Sequence, residues 1–248
     1  MGYIRFIWTA LYVVIAFIVS IPFLLIFLFL GLFSMKLRDR LTMVVVRIAF
    51  KTVLFLAGAK VHVTGLENVP KDVPVLYIGN HRSFFDVLTT YSLFPSMTCF
   101  IAKKQFKKIP GLSWWMMMLH NLFLDREDIK QGFKVILKAI DYVKGGMSVC
   151  IFPEGTRNKT QDDMLPFHEG SFKVADKTGC PIVPMTMYNM SAVFEDHFPK
   201  IYPQDVYIDF GTPIIPDELT KEERKHIGAY VQNIMLQKYA ELKENYAK

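Results

Sequence analysis

The stretch Val75-Leu76-Tyr77-Ile78-Gly79-Asn80-His81-Arg82-Ser83-Phe84-Phe85-Asp86 joins a short apolar run to polar residues that are typical of a strand-to-helix turn. Residues 75–78 read as a buried β-strand because the run is short, continuously apolar and contains β-branched side chains. Ser83 is suited to a helix N-cap, and Asp86 follows three residues later, in what would be the first helical turn. The stretch therefore predicts a strand followed directly by a helix.

The same alternation of short apolar runs and helical stretches continues along the chain. Further runs of strand length occupy residues 61–63, 99–101, 122–124, 147–152, 182–183 and 206–210. Residues 129–144 form the clearest amphipathic helix, which Gly145-Gly146 ends, and another helical stretch runs from about residue 216 to the C-terminus. The apolar stripe of the first of these helices consists of Ile129, Phe133, Ile136, Leu137, Ile140 and Val143. This order predicts an α/β fold over residues 59–248, with a mixed, mostly parallel sheet flanked by helices.

Residues 1–58 have a different character and predict membrane-associating helices. No charged residue occurs from Phe6 to Met35, and about thirty helical residues would reach roughly 45 Å, longer than the hydrocarbon core of about 30 Å. Pro22 lies near the middle, so two shorter helices that enter one leaflet compete with a single tilted and kinked span, and we favour the two helices. Residues 41–58 then read as an amphipathic helix, either at the level of the lipid headgroups or with a solvated face.

The positions of the basic residues predict the side of the membrane. Lys36, Arg38 and Arg40 follow the apolar segment, whereas only Arg5 precedes it. The positive-inside rule therefore places the rest of the chain at the cytoplasmic face.

Composition narrows the possible classes of function only partly. The formal charge of +6 suits anionic lipids, phosphate-bearing substrates and nucleic acid equally well. Cys99, Cys150 and Cys180 are odd in number and far apart, so we expect buried thiols in a reducing compartment rather than a disulfide framework. No group of histidines, cysteines and carboxylates has the spacing of metal ligands, and no nucleotide-binding fingerprint occurs, so we expect neither a metal nor a bound cofactor.

Polar residues follow four of the predicted strands. Lys103-Lys104, Asp125-Arg126 and residues 153–157 take these positions, as do residues 80–86. The carboxyl ends of parallel strands meet at one edge of a sheet, which is where open α/β sheets bind ligands. We therefore expect a histidine, carboxylates and several cations to converge at one rim.

A histidine five residues before an aspartate occurs twice, and only the context separates the two pairs. Residues 121–124 read as a strand, so His120 and Asp125 would point to opposite faces and should not meet. His81 instead precedes a helix, and a turn can fold it back towards Asp86. His81 is then a candidate general base whose far ring nitrogen is held by Asp86. The alternative is that Asp86 only closes a capping box with Ser83.

The segment Phe152-Pro153-Glu154-Gly155-Thr156-Arg157 is the second candidate constellation. Gly155 would allow a sharp turn, and the guanidinium of Arg157 is suited to bidentate binding of a phosphate. We expect Glu154 to orient Arg157 or to accept a hydroxyl rather than to bind an anion. The alternative is a surface turn with an ordinary ion pair.

Together these motifs resemble the glycerolipid acyltransferase family, particularly its 1-acylglycerol-3-phosphate acyltransferases. Asn-His-x-Ser-x-x-Asp at residues 80–86 precedes Phe-Pro-Glu-Gly-Thr-Arg at residues 152–157 by about seventy residues. Residues 123–126 and 183–185 are similar to the middle and last motifs of the family, so the resemblance covers residues 75–185 in order. The chain departs from the pattern at His120, where the family commonly has Gly, at Asn158 and at His168.

The resemblance implies transfer of a fatty acyl group to the sn-2 hydroxyl of lysophosphatidic acid, which makes phosphatidic acid in phospholipid biosynthesis. It implies acyl-CoA or acyl carrier protein as co-substrate, a phospholipid membrane as partner and no role for nucleic acid. His81 and Asp86 would be the catalytic pair. Candidate substrate-binding residues around the acceptor phosphate are Lys104, Arg126, Glu154, Gly155 and Arg157, together with Asn80, Ser83 and Thr156 from the same motifs.

Other functions remain open at this point. The acceptor could be another lysophospholipid or glycerol-3-phosphate, and a transacylase would need no CoA. A lipid-binding membrane protein without catalysis is the alternative from a different class.

Overall fold

A seven-stranded sheet forms the centre of the molecule in the computed structural model, which describes residues 1–246. In chain order its strands are β1 (Ala59–Thr64), β2 (Leu76–Gly79), β3 (Thr98–Lys103), β4 (Leu122–Leu124), β5 (Ser148–Ile151), β6 (Ile182–Tyr188) and β7 (Gln204–Phe210). The spatial order is β1-β7-β6-β2-β5-β3-β4, and every neighbouring pair is parallel except β6 with β7. All seven apolar runs are therefore strands, and the mixed, mostly parallel sheet is confirmed.

Eight α-helices accompany the sheet in the described part of the chain. They are α1 (Gly2–Gly31), α2 (Met35–Ala57), α3 (Phe84–Leu93), α4 (Leu112–Met118), α5 (Ile129–Lys144), α6 (Lys173–Thr178), α7 (Lys221–Lys225) and α8 (Ile227–Tyr246). The helix predicted from residue 216 onward thus divides into a short 3-10 turn, α7 and α8, and its last two residues lie outside the described chain.

Helices cover both faces of the sheet, which gives two apolar cores. On one face Tyr77, Phe94 and Phe100 pack with residues of α1, α2 and α4. On the other face Leu76 and Ile78 pack with residues of α5, α6 and α8. Because successive strand side chains point to opposite faces, the continuously apolar β2 supplies both cores.

The apolar stripe predicted on α5 is only partly buried. Ile140 and Val143 belong to the core, but Ile129 is 87% exposed and Phe133 is 64% exposed. Val135 and Ala139, which lie on a neighbouring line of the helix, are buried in their place. The helix is therefore rotated against the sheet relative to the expected orientation, because the short edge strand β4 offers little surface to its first turns.

The break expected within the N-terminal apolar segment is wrong. Residues 2–31 form one continuous helix that contains Pro22, and α2 begins after a short turn at Ser34, which caps it. A proline removes a single helical hydrogen bond, and the remaining apolar residues continue the helix on both sides of it. The hairpin in this region is the antiparallel pair of α1 with α2 rather than two halves of α1.

The helix α1 contacts the sheet domain along its length. The Ile201 N–H donates to the carbonyl of Gly2 at 3.2 Å, and the ring of Phe6 stacks on that of Phe194 at 5.7 Å. Further along, the Trp115 indole N–H donates to Ser20 Oγ at 2.9 Å, and Phe27 meets the Trp115 ring edge-on at 6.2 Å. Within residues 1–246, α1 is the one helix long and apolar enough to cross a membrane by length and composition.

The three cysteines are free and buried, as predicted. Burial raises the pKa of Cys99 to about 12, so this thiol stays protonated at neutral pH.

Candidate active site

The turn between β2 and α3 brings His81 and Asp86 into contact. His81 Nδ1 lies 2.8 Å from Asp86 Oδ2, and the Asp86 side chain is 1% exposed. The same carboxylate oxygen accepts from the backbone N–H groups of Arg82 and Ser83, both at 2.7 Å. Asp86 therefore closes the capping box of α3 and holds His81 at once, so the two sequence interpretations are both present in the structure.

The orientation of His81 leaves one ring nitrogen available. With the Nδ1 proton donated to Asp86, Nε2 is the unprotonated nitrogen that can accept a proton. The imidazole stacks on the Phe152 ring at a centroid distance of 4.4 Å and an angle of 15°. Gly79 makes this stack possible, since a Cβ at that position would lie 2.9 Å from the Phe152 ring.

The second histidine-aspartate pair of equal spacing does not form. His120 Nε2 lies 2.9 Å from Asp39 Oδ2 and 3.0 Å from an Arg38 nitrogen, whereas Asp125 accepts from Lys104 Nζ at 2.7 Å. His120 also has a φ of 59°, the left-handed region that favours glycine. His120 consequently joins the start of α2 to the end of α4 and lies apart from the candidate base.

Glu154 supports the backbone of the candidate base rather than Arg157. One carboxylate oxygen accepts from the His81 N–H at 2.6 Å, and the other accepts from the Leu165 N–H at 2.9 Å. Burial raises the pKa of Glu154 to about 7, although these two hydrogen bonds oppose the shift. Because both oxygens already have partners, the expected orientation of Arg157 by Glu154 is not what the structure shows.

Four cations converge at the same rim of the sheet. Arg126 approaches Gly155, where an added Cβ would lie 3.7 Å from its guanidinium carbon. Burial and the positive charges of Arg126, Arg157 and Lys159 lower the pKa of Lys103. Such a cluster of positive charges has the chemistry that suits a phosphate ligand.

A cavity of about 310 Å³ opens beside this cluster. Its lining residues, which come from the ends of β3 and β4, are Lys103, Lys104, Gln105, Lys108, Leu124, Asp125, Arg126 and Glu127. Lys104 pairs with Asp125 there and is largely exposed. Lys103, which was expected at this rim but not among the phosphate-binding residues, is the lysine close to Arg126 and Arg157.

The remaining candidate binding residues differ in how accessible they are. Asn80 is 2% exposed, and its amide exchanges hydrogen bonds with the Met187 backbone at 2.8 and 2.9 Å, which ties β2 to β6. Ser83 is fully buried, and its hydroxyl caps α3. Gly155 has a φ of 70°, so it provides the sharp turn that was expected, and Thr156 is exposed beside it. The side chains of Asn80 and Ser83 thus make hydrogen bonds within the fold, and their predicted contact with substrate stays a prediction.

Glu195 is a residue of this site that the sequence motifs did not indicate. Its carboxylate accepts from Ser83 Oγ and from the Phe84 N–H, both at 2.7 Å, and Arg157 Nη1 donates to it at 3.3 Å. Burial raises the pKa of Glu195. It lies in a short 3-10 turn over a hundred residues away in sequence from Ser83, so only the tertiary structure brings it to the site.

These groups provide the elements of a proton transfer beside an anion site. His81 Nε2 can take a proton from a hydroxyl, Asp86 can stabilise the imidazolium that results, and the four cations can hold a phosphate on the same molecule.

Known proteins are similar to this chain in sequence and in fold. A family model described as Acyltransferase matches residues 60–188. Over 204 residues the chain is 32% identical to a 1-acyl-sn-glycerol-3-phosphate acyltransferase from Borreliella burgdorferi, which covers 82% of this chain and 81% of that protein. Over 174 residues it is 28% identical to the protein of the same name from Escherichia coli, covering 70% of each chain.

A solved structure is similar over nearly the whole chain. It is the crystal structure of the 1-acyl-sn-glycerophosphate (LPA) acyltransferase, PlsC, from Thermotoga maritima, with a TM-score of 0.79 and 25% sequence identity, covering 97% of this chain and 98% of that one. The residues matched by the family model include His81, Asp86, Arg126 and Arg157.

Proposed function

The chain belongs to the acyltransferase family, and from that premise we propose that it transfers a fatty acyl group to the sn-2 hydroxyl of 1-acylglycerol-3-phosphate, making phosphatidic acid. The observation that carries the proposal is the contact of His81 with Asp86 at the rim where Arg126 and Arg157 converge. One acceptor molecule carries both a hydroxyl to be deprotonated and a phosphate to be bound. Relatives with this activity in their names support the same acceptor.

In the proposed reaction His81 acts as the general base. The acceptor hydroxyl oxygen attacks the thioester carbonyl carbon while Nε2 takes the hydroxyl proton. The tetrahedral adduct then collapses, the carbon–sulfur bond breaks, and the imidazolium returns its proton to the departing thiolate. Asp86 stabilises the imidazolium between these steps, and no serine nucleophile is needed.

The thioester donor is proposed to be acyl-CoA or acyl carrier protein. The cavity lined by Lys103 and Arg126 lies next to the proposed phosphate site, and Lys104 and Lys108 also line it. Both donors carry anionic groups that suit such a surface.

We further propose that α1 lies in one leaflet at the cytoplasmic face, with the sheet domain beside it. A helix that left the domain to cross the bilayer would contact it at one end, whereas α1 contacts it both at Gly2 and at Phe27. Its outward side carries large apolar residues, including Ile18 at 62% and Leu25 at 61% exposure. The basic residues at the start of α2 support the cytoplasmic side.

The test is an acyl-transfer assay with purified protein, lysophosphatidic acid and either acyl-CoA or acyl carrier protein, with phosphatidic acid followed by mass spectrometry. His81→Ala should lower kcat by roughly 10² to 10⁴, the usual contribution of a general base. His120→Ala is the matched control, since it removes the other histidine of equal spacing, and it should retain activity.

Three results would contradict the assignment. If wild type and His81→Ala form equal amounts of product, His81 is not the general base. Product with another lysophospholipid or with glycerol-3-phosphate, but none with lysophosphatidic acid, would change the acceptor, and absence of transfer to any acceptor would favour a lipid-binding protein.

A further inference from the structure

Glu195 reaches the N-terminus of α3 from a distant part of the chain. Its side chain is 18% exposed, and both carboxylate oxygens have donors: Oε2 accepts from Ser83 Oγ, and Oε1 accepts from the Phe84 N–H. Three donors, counting Arg157, restrain the carboxylate, so its position is fixed by the fold.

Arg157 is held between Glu195 and an aromatic ring. Its guanidinium carbon lies 4.0 Å from the centroid of Phe84, and its Nη1 lies 3.3 Å from Glu195 Oε1. Phe84 and Glu195 are themselves joined through the Phe84 N–H. The planar guanidinium thus has one face and one edge restrained. Its remaining N–H groups donate to no residue of the described range 1–246 and can meet a ligand.

The surrounding charges make such a restraint necessary. Lys103, Arg126 and Lys159 all act on the same small region as Arg157. Four cations repel one another, and the long side chain of Arg157 would reduce that repulsion by turning into solvent if nothing held it. Among residues 1–246, the carboxylate in ion-pair contact with Arg157 is that of Glu195, whereas Asp125 is paired with Lys104.

We propose that Glu195 is a positioning residue for the acceptor, one that holds Arg157 at the phosphate-binding end of the site before the acceptor arrives. The inference rests on the proposed function, because it names the residue that prepares the proposed phosphate site. Binding to a pre-organised group avoids the free-energy cost of ordering it. Loss of Glu195 should therefore weaken acceptor binding and leave the acyl-transfer step largely intact.

The experiment compares Glu195→Gln with wild type in the full-length chain, in mixed micelles of detergent and phospholipid. Glutamine keeps the size of the side chain but removes its charge. The KM for lysophosphatidic acid should rise about tenfold, while kcat changes by less than about threefold and the KM for the thioester donor stays constant, because only ground-state acceptor binding is affected. An unchanged acceptor KM in the folded variant overturns the proposal, as does an equal fall of kcat with every substrate.

The neighbouring residue Asp196 provides a matched control. Its carboxylate accepts from Ser191 Oγ at 3.0 Å and is exposed. Asp196→Asn removes the same charge one residue away, so a general effect of surface charge would raise the acceptor KM there too. The proposal expects the KM of Asp196→Asn to equal that of wild type.

A double-mutant cycle tests whether Glu195 acts through Arg157. In an Arg157→Gln background, Glu195→Gln should raise the acceptor KM by less than about twofold, since the group that it positions is already absent. A rise as large as in the wild-type background means that Glu195 acts in another way, and the proposal is then wrong.

Glu195→Asp keeps the inference testable if the glutamine variant does not fold. It retains the charge but draws it away from Arg157 by one methylene group, so a smaller rise in acceptor KM is expected, and no rise in the folded variant contradicts the proposal.

Equilibrium binding of lysophosphatidic acid, measured as Kd without donor, should follow the same order of variants. That measurement needs no turnover. A wild type that binds but forms no phosphatidic acid therefore refutes the proposed function, whereas variants with unaltered Kd refute the role of Glu195.

Discussion

At the scale of single residues, the buried carboxylate of Glu154 supports the backbone of His81 and has a raised pKa. Glu154 is 4% exposed, and its carboxylate accepts hydrogen bonds from the backbone N–H groups of His81 and Leu165. Burial favours the protonated form, since desolvation penalises the charge, and the pKa of about 7 places its titration close to neutral pH.

We predict that Glu154 makes stability fall with rising pH. A carboxyl group whose folded-state pKa lies above its usual value of 4.5 binds its proton more tightly in the folded protein. Its contribution is complete below about pH 4.5 and is lost as the pH rises through about 7, with a total on the order of 3 kcal/mol. The measurement is the free energy of unfolding from pH 4.5 to 8 for wild type and Glu154→Gln.

The difference between the two proteins isolates this residue from other titrating groups. The stability of wild type relative to Glu154→Gln should decline between pH 4.5 and 7. Curves that stay parallel over that interval would show that the carboxyl group titrates alike in the folded and unfolded chains.

At the scale of elements, the end of β2 and the start of α3 form one unit with the end of β5. Gly79 is the last residue of β2, and Phe152 follows β5. The parallel pairing of these strands therefore places the Phe152 ring against the backbone of Gly79. The Phe152 ring then supports one face of the His81 imidazole, whose Nδ1 is held by Asp86. A shift of either strand end moves the imidazole.

Gly79→Ala should therefore reduce both stability and activity. The added Cβ would lie 2.9 Å from the Phe152 ring and 3.1 Å from a Met187 methyl group, distances that force a displacement. We expect a loss of about 1–3 kcal/mol in the free energy of unfolding, as overpacking of a core causes. A fall in kcat of roughly tenfold should accompany it, since misplaced catalytic groups are costly. Denaturant unfolding and the transfer assay measure these effects.

Gly170→Ala is the control for the preceding substitution. No heavy atom lies within 4 Å of a Cβ built there. This variant should leave kcat unchanged. If Gly79→Ala retains the kcat of wild type, the stacking of Phe152 does not position His81.

At the scale of the whole molecule, the outward side of α1 determines how the domain meets a membrane. Ile4, Leu11, Ile18 and Leu25 follow one another at intervals of seven residues, or nearly two helical turns, and each is at least 44% exposed. They form an apolar line on the side of the helix that faces away from the sheet.

The double substitution Ile18→Glu and Leu25→Glu should release the protein from membranes while preserving the fold. A charge at the centre of a bilayer costs roughly 3 kcal/mol and less near its surface, so two of them should weaken vesicle binding at least about tenfold. Sedimentation with phospholipid vesicles measures the bound fraction, and circular dichroism checks the fold.

Asn233→Glu with Gln237→Glu is the matched control, because both residues are exposed on α8 and the change in charge is the same. These substitutions should leave vesicle binding as in wild type. If the α1 variant binds vesicles as well as wild type does, other surfaces attach the protein to the membrane.

Local sequence patterns are sufficient to predict the strands and the motif residues. Apolar periodicity and N-cap chemistry are local signals, so the seven strands, the turn after β2 and the contact of His81 with Asp86 could be predicted from short segments. The failure of His120 to pair with Asp125 followed from the same kind of argument, since a strand sends those side chains apart.

Which distant side chains complete the site depends on how the elements pack together. Glu195 reaches Arg157 only through the packing of separate segments, and the contacts of Glu154 depend on a loop that returns to the His81 turn. The continuity of α1 through Pro22 and the exposure of Ile129 are likewise non-local, because the domain surface beneath each helix determines its packing. Such contacts join residues far apart in the chain, and a local pattern carries no information about them.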